Sequence, residues 1–297
     1  MLSLDSPIGV GFSYTANKSF YVNVNDEITG NPLLEFDSDG NSKGDYLWSH
    51  GLISDESYDL LTTVCSFSQI MRETLTLKGN TSFSPACTPV AKQVFEEVNY
   101  LIDEYDVSGN FCNSTVNQSK TKIYKVLGIL DEKAAAQGYE DCSDKTAYNY
   151  FNRKDVQKAL HVRLVGVVEW RPCSKVLKYD RREVLKPTIN ILGYLLRSGI
   201  RALVYSGDQD SVIPFISTRN LVAGLAKELG LNASKPYRAW FERKQVGGWT
   251  KVYGNILAYA TIRGASHAAP STQPARSLLL LKSFLGNTSS RTMRSAA

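Results

Sequence analysis

The fold of this chain is decided by the stretch Ile200-Arg-Ala-Leu-Val-Tyr-Ser-Gly-Asp-Gln-Asp-Ser-Val-Ile-Pro214. Its first part, through Tyr205, is a short apolar run rich in β-branched and aromatic residues, which is typical of a buried strand. A polar break follows, and Pro214 then opens a helical pattern. The stretch therefore predicts a parallel strand, a loop carrying the carboxylates Asp208 and Asp210, and a helix. Loops that follow parallel strands are where α/β folds place their chemistry.

A second stretch, Tyr259-Ala-Thr-Ile-Arg-Gly-Ala-Ser-His267, repeats this design with a histidine in the loop. An acid followed by a histidine, each just past a strand, forms the second half of the Ser…Asp…His order of α/β-hydrolases. In such a triad the histidine takes the proton of a serine hydroxyl, and the acid fixes its tautomer. Asp210 and His267 are therefore candidate catalytic residues, whereas Asp208 is interpreted as structural, since loop aspartates usually satisfy backbone donors.

The C-terminal half alternates helices and strands, as a doubly wound α/β sheet does. Helices are predicted there at 188–197, 218–229 and 273–285, and strands at 237–242, 246–253 and 256–262. The first half instead predicts helices at 45–51, 54–65, 89–106 and 154–162, a loop at 67–85, and polar segments without clear periodicity at 15–44 and 107–146. This half supplies few strands, so we expect the sheet to be incomplete and partly uncovered.

The composition is that of an ordinary soluble globular protein, with 43% hydrophobic and 21% charged residues among 297. The net charge of +5 comes from scattered Lys and Arg, so no nucleic-acid partner is predicted. No apolar run reaches the length of a membrane span, and the first residues lack the regions of a signal peptide. His50 and His161 have no ligands at metal-binding spacing and are interpreted as packing or surface residues. Neither a metal nor another cofactor is predicted.

Two features indicate the secretory pathway. The chain has five cysteines without a CxxC pair, which favours disulfides over a metal or redox site. It also has six Asn-x-Ser/Thr sequons, which predict N-glycans on surface loops. These asparagines are Asn17, Asn80, Asn113, Asn117, Asn232 and Asn287.

Further stretches, spread over nearly the whole chain, form a recognisable combination. They are Leu4-Asp-Ser-Pro-Ile-Gly-Val-Gly-Phe-Ser-Tyr14, Gly30-Asn-Pro-Leu-Leu34, Trp48-Ser-His-Gly-Leu-Ile-Ser54, Tyr205-Ser-Gly-Asp-Gln-Asp210, Gly247-Gly-Trp249, and Arg263-Gly-Ala-Ser-His267 with Gln273-Pro274. Together they resemble the serine carboxypeptidase family, and more closely its plant carboxypeptidase-like branch.

The resemblance implies an α/β-hydrolase fold with a helical, disulfide-bearing insertion. We expect a single, incomplete domain over 1–297, the insertion at 45–146, and a mobile tail at 286–297. The implied activity is release of C-terminal residues from peptides or proteins, usually at acidic pH, with a related acyltransferase as the alternative. The implied location is extracellular or vacuolar. By the same resemblance Asp210 is the triad acid and His267 the general base.

The resemblance also suggests how the cysteines pair, although their connectivity cannot be deduced from spacing alone. Sequential disulfides would join Cys65 to Cys87 and Cys112 to Cys142, both closing loops of the insertion. Cys173 would then remain unpaired.

The chain departs from the family pattern at the nucleophile. The family serine lies in a Gly-Glu-Ser-Tyr-Ala-Gly elbow, and no such segment occurs here, so the join between Thr29 and Gly30 is interpreted as an internal deletion. The family's upstream Asn-Gly-Gly-Pro-Gly-Cys-Ser-Ser stretch, which supplies an oxyanion donor, is also absent. Ala268 stands where related plant enzymes often have Glu. We therefore expect a chain without peptidase activity, or a non-catalytic secreted isoform.

Three serines are candidates for a replacement nucleophile. Ser57 lies in a Glu-Ser-Tyr sequence but is predicted to be a solvent-facing helical residue without flanking glycines. Ser13 has one of the two glycines of an elbow and is interpreted as structural. Ser266 is adjacent to His267 in sequence and cannot reach its ring in line.

Overall fold

The computed structural model describes residues 22–24, 33–76, 83–98, 102–109, 142–162, 169–171, 178–179 and 183–286. The chain divides into two compact units. The smaller unit comprises Met1–Pro32, Asn110–Lys122 and Leu130–Lys186, and the larger one comprises Leu33–Gly109, Ile123–Ile129 and Pro187–Ala297. The predicted tail lies outside the described residues beyond Gly286.

The smaller unit contains two short parallel strands, β1 (Val22–Val24) and β2 (Lys178–Tyr179). Two of its helices are described, α5 (Cys142–Phe151) and α6 (Lys154–Ala159). Asn152, between them, donates from its side chain to the Trp170 carbonyl and accepts from the Trp170 amide. Helix α6 confirms the short helix predicted at 154–162, whereas α5 overlaps a segment for which no element was predicted.

The larger unit is built around a four-stranded sheet in the order β3-β6-β5-β4. The strands are β3 (Ala202–Gly207), β4 (Ala233–Glu242), β5 (Gln245–Tyr253) and β6 (Leu257–Ile262). Strands β3 and β6 are parallel, and the other two pairs are antiparallel. The strand predicted around 200–205 and the three predicted after it are all confirmed.

Helices cover this sheet on both faces. Helices α7 (Ile189–Arg197) and α8 (Phe215–Glu228) share one hydrophobic cluster with β6, and α10 (Pro274–Leu285) contributes Leu280 to another around Trp240. A short helix, α9 (Ala269–Thr272), precedes α10. Asp39 fastens α8 to the remainder of the unit, because it accepts from the Ser217 hydroxyl and from the backbone of Leu34 and Glu35. Burial raises the pKa of this carboxyl.

The remaining helices form a separate hydrophobic cluster. They are α1 (Phe36–Ser49), α2 (Asp55–Thr63), α3 (Phe67–Thr76) and α4 (Cys87–Val98). The predictions of a polar segment through residue 44 and of a loop at 67–85 were wrong for α1 and α3. Helix α1 is capped by the Glu35 side chain, which accepts from Asp37 and Ser38, and its glycine Gly40 packs closely on Ser68 of α3.

The helix predicted at 89–106 ends at Val98 among the described residues, and 102–109 is a turn-rich segment. Within the described part of the chain, none of these helices combines the length and apolar character needed to cross a membrane.

Candidate active site

The candidate acid Asp210 lies in the loop after β3, and only 4% of its surface is exposed. Its Oδ1 accepts from the backbone of Val212 at 2.8 Å and of Ile213 at 3.4 Å. Its Oδ2 lies 2.7 Å from Nδ1 of His267. Since the backbone contacts fix one carboxylate oxygen, the other is directed at the imidazole.

His267 lies in the loop after β6, the parallel neighbour of β3. Its side chain is 28% exposed, so it is accessible from solvent while Asp210 is not. The hydrogen bond that His267 donates to the Asp210 carboxylate raises the pKa of His267, and burial of the ring opposes that rise. The structure thus brings together the two residues that the sequence singled out.

The loops after β3 and β6 cross in direct backbone contact. A Cβ at Gly207 would lie 2.2 Å from the Ser266 carbonyl oxygen, so only glycine fits there. The backbone amide of Gln209 donates to Ala265 at 2.9 Å. Asp208 adds a third link, because its Oδ1 accepts from the Gly264 amide at 2.6 Å. This contact explains the glycine and the first acid of the Gly-Asp-Gln-Asp sequence.

A segment far away in sequence holds both loops, and sequence reasoning missed it. We call residues 103–107 the strap. The Glu104 carbonyl accepts from the backbone and hydroxyl of Ser211 at 2.9 and 2.8 Å, and the Val107 amide donates to Gln209 at 3.0 Å. The Tyr105 carbonyl accepts from the His267 amide at 2.8 Å. The strap therefore contacts the acid loop on one side and the histidine on the other.

Helix α1 supports this arrangement with two side chains. Lys43 forms an ion pair of 2.7 Å with the carboxylate of Glu104 in the strap. Tyr46, which is fully buried, donates its hydroxyl to the Asp208 carbonyl at 2.9 Å. Burial and the nearby carboxylates raise the pKa of Tyr46, so it remains a donor.

Tyr105 of the strap also lies beside the histidine ring. The two ring centroids are 5.2 Å apart in an edge-on arrangement, and 52% of Tyr105 is exposed. No pattern in the sequence indicates this contact, because it depends on where a polar loop crosses the ends of two strands.

The structure describes two of the three candidate serines, Ser57 and Ser266. Ser57 lies in the first turn of α2, but it is fully buried, so the prediction that it faces solvent was wrong. It shares the inner face of its helix with Leu61, one turn further on. Ser266 is buried and accepts from the Thr272 hydroxyl. Ser13 lies outside the described residues.

The remaining predicted residues are distributed as follows. A disulfide joins Cys65 to Cys87, as expected. His50 stacks on Tyr46 at 3.8 Å between ring centroids, and His161 is exposed. Asn232 is exposed between α8 and β4. The side chains of Cys112, Cys142 and Cys173, and of Asn17, Asn80, Asn113, Asn117 and Asn287, lie outside the described residues, as do Thr29 and Gly30.

Known proteins match this chain over most of its length. The serine carboxypeptidase family model matches residues 21–287. Serine carboxypeptidase-like 45 of Arabidopsis thaliana is 41% identical over 345 residues, covering 96% of this chain and 72% of that protein. Serine carboxypeptidase-like 46 of the same plant is 41% identical over 346 residues, with the same coverage.

A solved structure has the same fold. It is Kex1(delta)p, a prohormone-processing carboxypeptidase from Saccharomyces cerevisiae, with a TM-score of 0.55 and 14% identity. The match covers 86% of this chain and 53% of the other, so this chain spans about half of that protein. The predicted α/β-hydrolase fold, with its mixed sheet, covering helices and a disulfide, is thereby confirmed. The chain belongs to the serine carboxypeptidase family.

Proposed function

We propose that this chain carries the acid and the base of a serine carboxypeptidase triad without their nucleophile, and that it does not hydrolyse peptides. The observation that carries the proposal is the 2.7 Å contact between the buried Asp210 carboxylate and Nδ1 of His267. An acid held in this way fixes the imidazole tautomer, so that the opposite nitrogen, Nε2, would act as the base. The raised pKa of His267 agrees with an imidazolium stabilised by its partner.

The absence of a nucleophile is inferred from the sequence. The sequence contains one Gly-x-Ser-x-Gly match, Gly40-Asn-Ser-Lys-Gly44, but it lies inside helix α1 and not at the strained strand-to-helix turn that presents the serine of an α/β-hydrolase. The Ser42 hydroxyl is buried and donates to the Asp39 carbonyl, so this serine is not presented as a nucleophile. The alignment with serine carboxypeptidase-like 45 is longer than this chain, so it contains positions at which this chain has no residue. That gap supports an internal deletion, which we place between Thr29 and Gly30.

A histidine and an acid alone can only activate water weakly. A nucleophile held in line reaches effective concentrations of about 10⁵–10⁸ M, and most of that advantage is lost when the attacking group is free in solution. An oxyanion site contributes a further factor of about 10²–10³. We therefore expect no turnover above background.

Two assays test this proposal. A fluorophosphonate probe should leave the chain unlabelled, and a peptide with a free C-terminus should stay intact at acidic pH. A peptide with a blocked C-terminus serves as the control for contaminating endopeptidases. Stoichiometric labelling of Ser13 or Ser57, with labelling and activity both lost on its change to Ala, would refute the proposal.

Restoring the nucleophile is the positive test. A Gly-Glu-Ser-Tyr-Ala-Gly segment, with the strand and helix around it, would be inserted at the Thr29–Gly30 join, and the family's upstream stretch would be added ahead of Met1. The restored chain should be labelled and should release C-terminal residues, and His267→Ala should abolish both. His161→Asn is the matched control, since His161 is exposed and Asn tolerates its left-handed backbone conformation.

The same restored chain separates the two activities that use this triad. A carboxypeptidase transfers the acyl group to water, whereas an acyltransferase transfers it to an alcohol. Supplying an activated ester with and without an acceptor alcohol distinguishes them by the product formed. Peptide or protein C-termini are the partners that the peptidase alternative requires.

The proposal includes passage through the secretory pathway, to the extracellular space or a vacuole. The sequons and the Cys65–Cys87 disulfide support it, because disulfides persist in oxidising compartments. A chain directed to the endoplasmic reticulum should lose mass on glycosidase treatment, with Asn113 and Asn117 the leading sites. An unchanged mass in the secreted protein would contradict this part.

A further inference from the structure

A cavity of about 310 Å³ lies between α8 and the sheet, and it shares no residue with the Asp210–His267 pair. It is lined by Arg219, Asn220, Tyr237, Lys251, Tyr253 and Tyr259, with Ala223 at its helical side. Its volume is at the lower end of the range for small-molecule sites, so it suits a ligand of fragment size.

Two of the lining residues are cations, and none is an acid. Arg219 lies over the Phe215 ring at 5.9 Å, and Lys251 lies over the Tyr253 ring at 4.9 Å. Within the part of the chain that the structure describes, neither has a carboxylate partner. Unneutralised cations at a partly enclosed wall attract an anion, since a low local dielectric strengthens the interaction.

The rest of the cavity is lined mainly by the aromatic rings of three tyrosines. Tyr259 and Tyr253 are buried, whereas Tyr237 is 43% exposed at the opening. The Tyr259 hydroxyl donates to the Phe215 carbonyl at 2.9 Å, so its ring is held in place. Lys251 pairs directly with Tyr259 across β5 and β6, which places the cation beside this ring. Aromatic faces of this kind favour a planar apolar ligand.

We propose that this cavity binds a small organic anion composed of a carboxylate and a flat ring. Arg219 and Lys251 hold the carboxylate, the Asn220 amide adds a polar contact, and the tyrosine rings enclose the planar part. The proposal is independent of whether the chain hydrolyses peptides, because no residue of the candidate active site takes part.

Benzoate is the simplest probe, titrated into the full chain by calorimetry at constant ionic strength. We expect saturable one-to-one binding with a dissociation constant on the order of 1 mM, as a ligand of this size allows. Acetate has the charge without the ring and benzyl alcohol the ring without the charge, and both should bind at least about tenfold more weakly. Acetate binding as tightly as benzoate would overturn the role of the rings.

Substitutions locate the site. Lys251→Met and Arg219→Met should each weaken benzoate binding by about tenfold or more. Lys251→Arg keeps the positive charge and should bind benzoate within about threefold of the parent chain. Lys244→Met is the matched control, because Lys244 is exposed in the β4–β5 turn outside the cavity. Circular dichroism confirms that each variant is folded. Unchanged benzoate affinity in folded Lys251→Met, or no saturable binding to the parent chain, would overturn the proposal.

Discussion

The smallest unit of the site is one histidine and one carboxylate, and its proton chemistry can be measured without a nucleophile. Because Asp210 raises the pKa of His267, we expect an NMR titration of the ring to give a pKa above the ordinary value of about 6.5. Asp210→Asn should lower it, since the hydrogen bond to a charged acceptor is lost. His267→Gln assigns the resonance. A pKa unchanged by Asp210→Asn would contradict the geometry.

The same pair makes stability depend on pH in one direction. A histidine whose pKa is raised by folding stabilises the folded chain fully below its unfolded pKa, and this contribution is lost as pH rises through the folded pKa. The difference in unfolding free energy between the parent chain and His267→Gln should therefore shrink as pH increases through that window. Denaturant melts at a series of pH values measure it, and a difference that grows instead would show that another group dominates.

A residue-scale prediction concerns the glycine pair before Trp249. A Cβ at Gly248 would lie 1.9 Å from the Thr261 carbonyl oxygen, which accepts the Trp240 indole N–H at 3.0 Å. Gly248→Ala should therefore cost about 3 kcal/mol of unfolding free energy, measured by denaturant melts. Gly224→Ala on α8 is the control, because nothing lies within 4 Å of its Cβ, and it should stabilise by about 0.5–1 kcal/mol. Equal effects at the two positions would contradict this account.

Among elements, the strap depends on the ion pair between Lys43 and Glu104. Lys43→Met should loosen the strap and cost about 1–3 kcal/mol, because it leaves a partly buried carboxylate without this cation. Hydrogen exchange reports the loosening: the amides of His267 and Ser211, which donate to the strap, should lose more protection than those of the β4–β5 hairpin.

The matched control for the strap is an exposed ion pair between α3 and α1. Arg72→Met breaks the exposed pair with Asp37 and should leave both amides protected, because exposed ion pairs contribute about 0–1 kcal/mol. Protection that is unchanged by Lys43→Met would show that the backbone contacts alone hold the strap.

The elements also show what sequence patterns can predict. The strands β3 to β6 and helix α8 were predictable from local signals. These signals are runs of β-branched and aromatic residues, and the Gly and Pro residues that mark where elements begin and end. Only the end of helix α1 was predicted, within the helix expected at 45–51. Its first part was not, because its polar, glycine-containing sequence has low helix propensity and forms by packing at Gly40. The Asp210–His267 contact followed from strand order, whereas the strap depends on a crossing that no local pattern encodes.

At the scale of the whole molecule, β3 has a pairing partner on one side only among the described residues. Ile200, just before β3, is 51% exposed, and Tyr205 within β3 is 44% exposed. This exposure agrees with a sheet that has no strand on the other side of β3 among the described residues. The opposite end strand, β4, carries Pro236 and Arg238, which discourage pairing, and β3 has no such residue. We therefore expect the chain to self-associate along β3.

Sedimentation velocity over a range of concentrations tests this expectation. The parent chain should form larger species as concentration rises, and Tyr205→Lys should suppress them, since a charge on an end strand opposes pairing. Tyr194→Lys is the control, because Tyr194 is 69% exposed on the helix α7 and belongs to no strand. A parent chain that stays monomeric throughout would contradict the prediction.

Because Trp240 is buried in the sheet, its fluorescence can report whether the sheet is intact. Of the four tryptophans, only Trp240 is fully buried, and its indole is hydrogen-bonded to the strand that leads to His267. Trp170 is half-buried, Trp48 is 42% exposed and Trp249 is 38% exposed. The short-wavelength part of the fluorescence emission should therefore arise from Trp240 and resist quenching by iodide, while the long-wavelength part is quenched. Loss of this shielded component would report separation of β4 from β6, before any change in helix content.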